Sequence, residues 1–218
     1  MVIEGLTSVC NRYRPEEGWL PVVLLVAVVV VMIASVLSVG WVPEDRVIIP
    51  SALLGLLLGF ALARRPLATW AAWTFIVIYG FLVTTLTLAN LWPPIHLLVN
   101  DWPALRLYWL ESGALFADRA GSWFTAVFIG SQSNETIIFA FLMGITAWML
   151  AAYAAWSTFR LQRPLLGLTF MGLFVAINGY YGEVPVEFIV AFVGVALLTT
   201  AALHFANLEW SWQRRHVD

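Results

Sequence analysis

Apolar positions in this chain come in long unbroken runs separated by short polar stretches. Six runs approach the about 20 residues that a helix needs to cross the hydrocarbon core of a bilayer. They cover about 19–41, 47–63, 67–92, 135–159, 164–181 and 185–208. The runs are continuous rather than alternating, which argues against a β-barrel. Within lipid, a single segment satisfies its own backbone only as a helix. The pattern therefore predicts an all-α membrane protein, a bundle of six transmembrane helices. Trp19 and Trp41 bracket the first run, as in an interfacial aromatic belt. The second run ends on Arg64-Arg65-Pro66 and the third at Pro93-Pro94, where a helix cannot continue.

One connection, 93–134, is too long and too aromatic for a simple polar loop, with Trp102, Tyr108, Trp109, Phe116, Trp123, Phe124 and Phe128. Pro103 suits the first turn of a helix, and Asp101 just before it suits the helix dipole. A short helix over about 103–117 is expected, lying on the outer membrane face or packed on the bundle. Ser131 to Asn134 read as a loop and N-cap, with Glu135 favourable at the start of the fourth spanning helix.

Composition supports the bilayer as solvent. The chain is 61% apolar and 11% charged, with a mean hydropathy of +0.87. Soluble domains carry about 25% charged residues. All basic residues are arginines, and their placement sets an orientation. With residues 1–18 as a cytoplasmic tail, the inside segments hold Arg12, Arg14, Arg64, Arg65, Arg160, Arg163, Arg214 and Arg215. The outside segments hold Arg46, Arg106 and Arg119. Positive charge concentrates on the cytoplasmic side of short loops. The organisation expected is thus a tail at 1–18, a transmembrane domain at 19–208, and a basic cytoplasmic segment at 209–218. A net charge of −2, with no basic stripe, excludes nucleic acid as a partner.

Few residues carry candidate chemistry. Ser51, Gly55, Gly59 and Ala63 form a ridge of small side chains four apart, echoed by Ala147, Ala151 and Ala155. Such ridges let two helices approach closely, within a bundle or between copies, and packing within the bundle is the expectation here. His204 falls near the end of the sixth run. It is read as a histidine hydrogen-bonded inside the bundle or at the interface, in preference to a metal ligand or proton relay, because no second ligand shares its helix. Asn178, Asn90 and Glu187 are the other polar groups near helix interiors or edges. Glu187, two residues past Pro185, is expected at the headgroup level, where it favours the start of a helix.

Enzyme signatures are missing from the sequence. No serine sits in a GxSxG setting, and no phosphate-binding or dinucleotide fingerprint occurs. Cys10, the single cysteine, allows no internal disulfide and has no histidine in its segment to act as a base. No catalytic residue, metal or cofactor is assigned.

Glu17-Gly18-Trp19-Leu20, Gly40-Trp41-Val42-Pro43 and the run from Ile49 to Gly59 resemble the N-terminal membrane region of bacterial transglutaminase-like membrane proteins. The aromatic and basic ending from Trp210 to Asp218 is similar to the segment leading out of that region. The resemblance implies an extracytoplasmic transglutaminase-like domain with a Cys-His-Asp triad, following in the same polypeptide. No residue here takes a place in that triad. Because the C-terminal segment is read as cytoplasmic, another spanning helix would have to precede such a domain. The implied role is a non-catalytic anchor in the bacterial cytoplasmic membrane, with the lipid bilayer as its partner. The alternative is a small permease, channel or assembly subunit.

Overall fold

The computed structural model describes residues 18–100, 102–129 and 136–214. Among these residues there are helices and turns and no strands. The helices are α1 (Leu20–Leu37), α2 (Ile48–Ala63), α3 (Thr69–Leu88), α4 (Ile95–Asn100), α5 (Trp102–Ile129), α6 (Ile137–Phe159), α7 (Pro164–Gly182) and α8 (Val186–Arg214). A single 3-10 turn, Asp45–Val47, leads into α2. Among the described residues, six helices are long and apolar enough to cross a membrane: α1, α2 with its 3-10 turn, α3, α6, α7 and α8. The six runs expected from sequence and these six helices coincide to within a few residues at most ends.

Where the ends differ, local chemistry decides. α1 stops at Leu37 rather than running on to Trp41. The Ser38 hydroxyl turns back to donate to the Ser35 carbonyl at 2.8 Å, and Gly40 takes the left-handed conformation at φ +65°. α3 ends before its two prolines, because Asn90 already has φ +51°. α7 begins with Pro164, whose missing N–H costs nothing at a first helical turn. It ends on Glu183 in the left-handed conformation. α8 continues past Leu208 as far as Arg214, so residues 209–214 of the basic segment are helical. The tail at 1–17 (Cys10 included), the loop and cap read at Ser131 to Asn134, and Glu135 lie outside the described residues.

The expected helix at about 103–117 is the largest departure. α5 has 28 residues and reaches Ile129. Its second half, Asp118-Arg119-Ala120-Gly121-Ser122, contains no proline, and a lone glycine costs a helix only about 1 kcal/mol. The helix carries Arg106, Glu111, Asp118 and Arg119, and it is not among the six candidate spans.

α6 is the axis of the bundle. Half of its span is buried, against 17% for α8 at the periphery. α2 lies along α6 in the most extensive contact of the fold; α7 and α3 flank α6 elsewhere, and α1 bridges α8, α2 and α7. The small ridge explains the α2 contact. A Cβ added at Gly55 would stand 2.7 Å from the Trp148 carbonyl oxygen, and one at Gly59 would stand 2.5 Å from that of Ala152. Ser51 and Ala63 complete the ridge, both buried, with the Ser51 hydroxyl 3.4 Å from that of Thr84 on α3. Ala147, Ala151 and Ala155 are fully buried on α6. The ridge therefore serves packing within the bundle. On α7, Gly167 lies equally close to the backbone of Ala154.

Trp148 locks the third side of α6. Its indole N–H donates to the Ile76 carbonyl at 2.9 Å, and Gly80 opens the space its ring fills on α3.

Gly59→Leu is expected to cost more than the about 1–3 kcal/mol of ordinary overpacking, because the atoms in its way are backbone. Gly194→Leu is the control, since a Cβ there meets open space. Thermal unfolding of the detergent-solubilised protein would separate the two, and equal losses would refute the ridge as the close contact.

Candidate functional site

One set of polar groups lies at the end of the described bundle that holds the α1–α2 turn, the end of α3 and the start of α6. Asn178 is buried among them, at 6% exposure near the end of α7. Its side-chain Nδ2 donates to the Ser35 carbonyl at 2.9 Å and to the Ser35 hydroxyl at 3.1 Å. Its Oδ1 accepts from the Trp41 indole N–H at 2.7 Å. An indole can only donate, so this partner fixes which way the amide points. The knot ties both sides of the α1 terminus to α7, and the adjacent Gly182 lets the α7 end close on Val39.

Beside the knot is a lateral groove of about 430 Å³ between α6 and α7, lined by Trp41, Phe139, Met143, Phe174, Asn178 and Tyr181 among others. Its walls are almost wholly apolar. Asn178 borders it with its amide already committed, so the groove contains no free buried hydrogen-bonding group from that residue.

A second tie holds the outer arm. The Glu44 carboxylate accepts from Arg119 of α5 at 2.8 Å and from the Thr136 hydroxyl before α6 at 2.9 Å. Burial acts to raise the Glu44 pKa, but the bonds from Arg119 and Thr136 and the Arg119 charge outweigh it and hold the carboxyl below its ordinary value. At its other half, α5 is fastened to the end of α3. The Tyr108 hydroxyl donates to the Asn90 carbonyl at 2.5 Å, and the Trp109 indole donates to the Leu91 carbonyl at 3.2 Å. Tyr108 and Arg119 are eleven positions apart, about 16 Å along a helix. α5 is thereby clamped across this end of the bundle, with Leu105 buried beneath it.

The other sequence candidates do not converge. His204 is exposed on α8 and is not inside the bundle. Its helix is the least buried of the spans, which leaves that position facing outward. Glu187 is exposed in the first turn of α8, where its charge suits the helix dipole. Ser51, Gly55, Gly59 and Ala63 are structural. No group of three or more His, Cys, Asp or Glu side chains that could hold a metal ion occurs among the described residues. Sequence reasoning read Trp41 as an interfacial anchor and gave Glu44 no partner, and so missed both ties. Their partners lie 137 and 75 positions away in the chain, beyond any local signal.

No family model, curated protein or solved structure matches this chain.

Asn178→Leu is expected to destabilise the bundle by about 1–3 kcal/mol, since it strands the Trp41 indole and the Ser35 hydroxyl. Ser35→Ala should cost nearer the roughly 0.6 kcal/mol typical of a hydrogen bond between membrane helices. In a double-mutant cycle of Trp41→Phe with Asn178→Leu, strictly additive losses would contradict the knot.

The lowered Glu44 pKa gives a signed pH dependence. Its contribution is complete above the ordinary value of 4.5 and fades as pH falls through the lower folded value. Protease cleavage within α5 should accelerate on acidification below that point, while Glu44→Gln should be equally cleavable on both sides of it.

Proposed function

We propose that this chain is a non-catalytic membrane module that anchors and positions an extracytoplasmic transglutaminase-like domain belonging to the same polypeptide. The observation that carries the scaffold reading is the closure of its interior. Among the described residues, every buried side-chain nitrogen and oxygen has a hydrogen-bond partner. Thr84 and Ser51 face each other, while Thr158 and Thr199 bond back to their own helices. A conduit needs polar groups left open to a permeant along its path. Here the polar groups are turned on one another, and two apolar voids among the described residues, at the knot and between α1 and α2, border helix faces rather than forming an axial path. The anchored domain is supported by the resemblance of the Trp, Gly and Pro positions to the membrane region of the transglutaminase-like family.

The location that fits is the bacterial cytoplasmic membrane, with both ends of the chain inside. Arg64, Arg65, Arg160 and Arg163 stand at one end of the bundle, opposite Glu44, Asp45 and Glu183. The arginine end is then cytoplasmic, and α5 lies on the outer face. At 100° per residue, Trp102, Trp109, Phe124, Val127 and Phe128 share one flank of α5, and Glu111, Asp118, Ser122 and Thr125 share another. Arg106 interrupts the apolar flank, and Leu107 and Leu115 interrupt the polar one. Trp102 is 68% exposed and Phe128 86% exposed, which suits an apolar flank resting in the headgroup region. The polar flank then faces the compartment of the anchored domain.

The single native cysteine tests the orientation. Cys10 should resist a membrane-impermeant maleimide in intact cells and react once they are permeabilised, whereas Ser122→Cys in a Cys10→Ser background should react in both. Mass spectrometry of the native protein tests the anchor: a transglutaminase-like sequence covalently joined to this module is expected, and its absence overturns the reading. Selective, saturable solute flux through reconstituted wild-type protein would instead favour the permease or channel alternative.

A further inference from the structure

α7 lies close against α6 near the arginine end, where a Cβ added at Gly167 would stand 2.5 Å from the Ala154 Cα. Toward the other end the lateral groove of about 430 Å³ lies between them. That volume is within the about 300–1,000 Å³ of small-molecule clefts. Each helix gives the groove one stripe at i, i+3, i+4 and i+7: Phe139 to Thr146 on α6, and Phe174 to Tyr181 on α7. The two helices run antiparallel, so Phe139 and Tyr181 stand at the mouth, and Thr146 and Phe174 at the inner end. Seven positions along a helix are about 10 Å. Thr146 is the tenth of the 23 residues of α6, so the groove reaches toward the middle of the span. Leu142 and Ile177, 55% and 48% exposed, leave its side open to the bilayer.

The lining restricts what fits there. Its walls are aromatic: Trp41 and Phe139 have ring centroids 6.4 Å apart, and Phe174 and Tyr181 border the same space. The Trp41 ring is fixed in place, because its indole N–H donates to Asn178. No lining residue carries a formal charge at neutral pH. The inner end holds a hydroxyl that the fold leaves open. Thr87, Thr158, Thr199 and Thr200, also on spanning helices, each donate to the carbonyl four residues earlier. Thr146 is half-buried, and its hydroxyl has no hydrogen-bond partner among the described residues. The hydrocarbon core offers no water in exchange, and an unmatched hydroxyl in an apolar medium costs free energy.

We propose that this groove binds a neutral, lipid-soluble carbonyl compound built on a flat ring, the chemical class of the isoprenoid quinones. The ring packs against Phe174 at the inner end, where a carbonyl oxygen accepts from the Thr146 hydroxyl. The apolar tail runs out past Trp41, Phe139 and Tyr181. Rings pack well against such side chains, offset or edge to face. The uncharged lining suits an uncharged occupant, and the open side admits one already dissolved in the bilayer. A plain acyl chain would fill the same space but leave Thr146 unmatched. The assignment is one of binding, with no electron transfer. It rests only on the chain being a membrane protein, and it holds whether or not an anchored domain follows.

The test uses the full chain in detergent, titrated with decylubiquinone. Two comparison compounds take the probe apart: decylbenzene has a ring without a carbonyl, and methyl decanoate has a carbonyl without a ring. Native mass spectrometry reads retained compound, and the unfolding midpoint reads stabilisation. The quinone should bind and raise the midpoint. Both comparison compounds should bind more weakly, decylbenzene by about the fivefold that one hydrogen bond confers. Thr146→Val keeps the side-chain shape but removes the donor. It should weaken quinone binding by the same factor and leave decylbenzene binding unchanged. Leu142→Trp, on the open wall, should block all three compounds. Thr200→Val removes a hydroxyl already satisfied within α8, and should leave quinone binding as in wild type. Decylbenzene held as tightly as the quinone, or a Thr146→Val protein that binds the quinone like wild type, would overturn the hydrogen bond and the site with it. Methyl decanoate held as tightly would make the groove an acyl-chain site, and quinone retained by Leu142→Trp would place the binding elsewhere; either result refutes the proposal. None of these outcomes bears on Cys10 labelling or on the covalent domain, so failure here stays distinct from failure of the anchor reading.

Discussion

The backbone-to-backbone approach of α2 and α6 is the constraint on which the rest of the bundle depends. In lipid, helices gain little from hiding apolar side chains from one another, because the surrounding tails are just as apolar. Association then relies on dispersion between closely packed atoms, which fades within an ångström of separation. At Gly55 and Gly59 even one carbon would collide with the carbonyls of Trp148 and Ala152. Once α2 sits that close, Ser51 meets Thr84, and α3 is drawn to the same axis through Trp148 and Ile76. α7 repeats the device with Gly167 against Ala154. The helices in contact with α6 thus use small residues where backbones meet, while α8, remote from it, is the least buried span.

The ends of the helices are held by different physics. Close packing along the axis does little to fix the loops, which leave the hydrocarbon and meet water and headgroups. At the acidic end, two polar knots replace it. Asn178 fastens the α1 terminus to α7, and Glu44 fastens α5 and the start of α6 to the α1–α2 turn. Each links segments far apart in sequence, so each removes freedom that no local turn could. The price is paired burial: Glu44 is tolerated there because Arg119 and Thr136 offset its desolvation.

Periodic features were legible in the sequence, and pairings were not. Six apolar runs with arginines at alternate boundaries are properties of single segments, and all six emerge as helices of spanning length. The four-residue spacing of Ser51, Gly55, Gly59 and Ala63 is likewise local, and it marked the face of closest packing. The extent of α5 was misjudged because aromatic density suggested a short interfacial turn of helix, whereas the absence of a breaker between Asp118 and Ile129 governs its length. His204 shows the same limit, since the sequence left it inside the bundle or at the interface. A histidine within an apolar run invites an interior role, but which face a residue presents depends on the neighbours of α8, and those were not readable. Asn178 stood out as polar, yet nothing near it in the chain named Ser35 or Trp41.

The two ends also differ in how their charges are used, and this bears on what each end can do. At the acidic end, Glu44 and Arg119 satisfy each other, so that the charges are consumed in holding α5 in place. At the basic end, Arg64 stands over the Phe60 ring, and Arg160 stands over the Trp156 ring and donates to the Arg65 carbonyl. A ring or a carbonyl orients a guanidinium but does not neutralise it. One end of the bundle is therefore held by an ion pair between distant segments, while the other orients its guanidinium groups on rings and carbonyls.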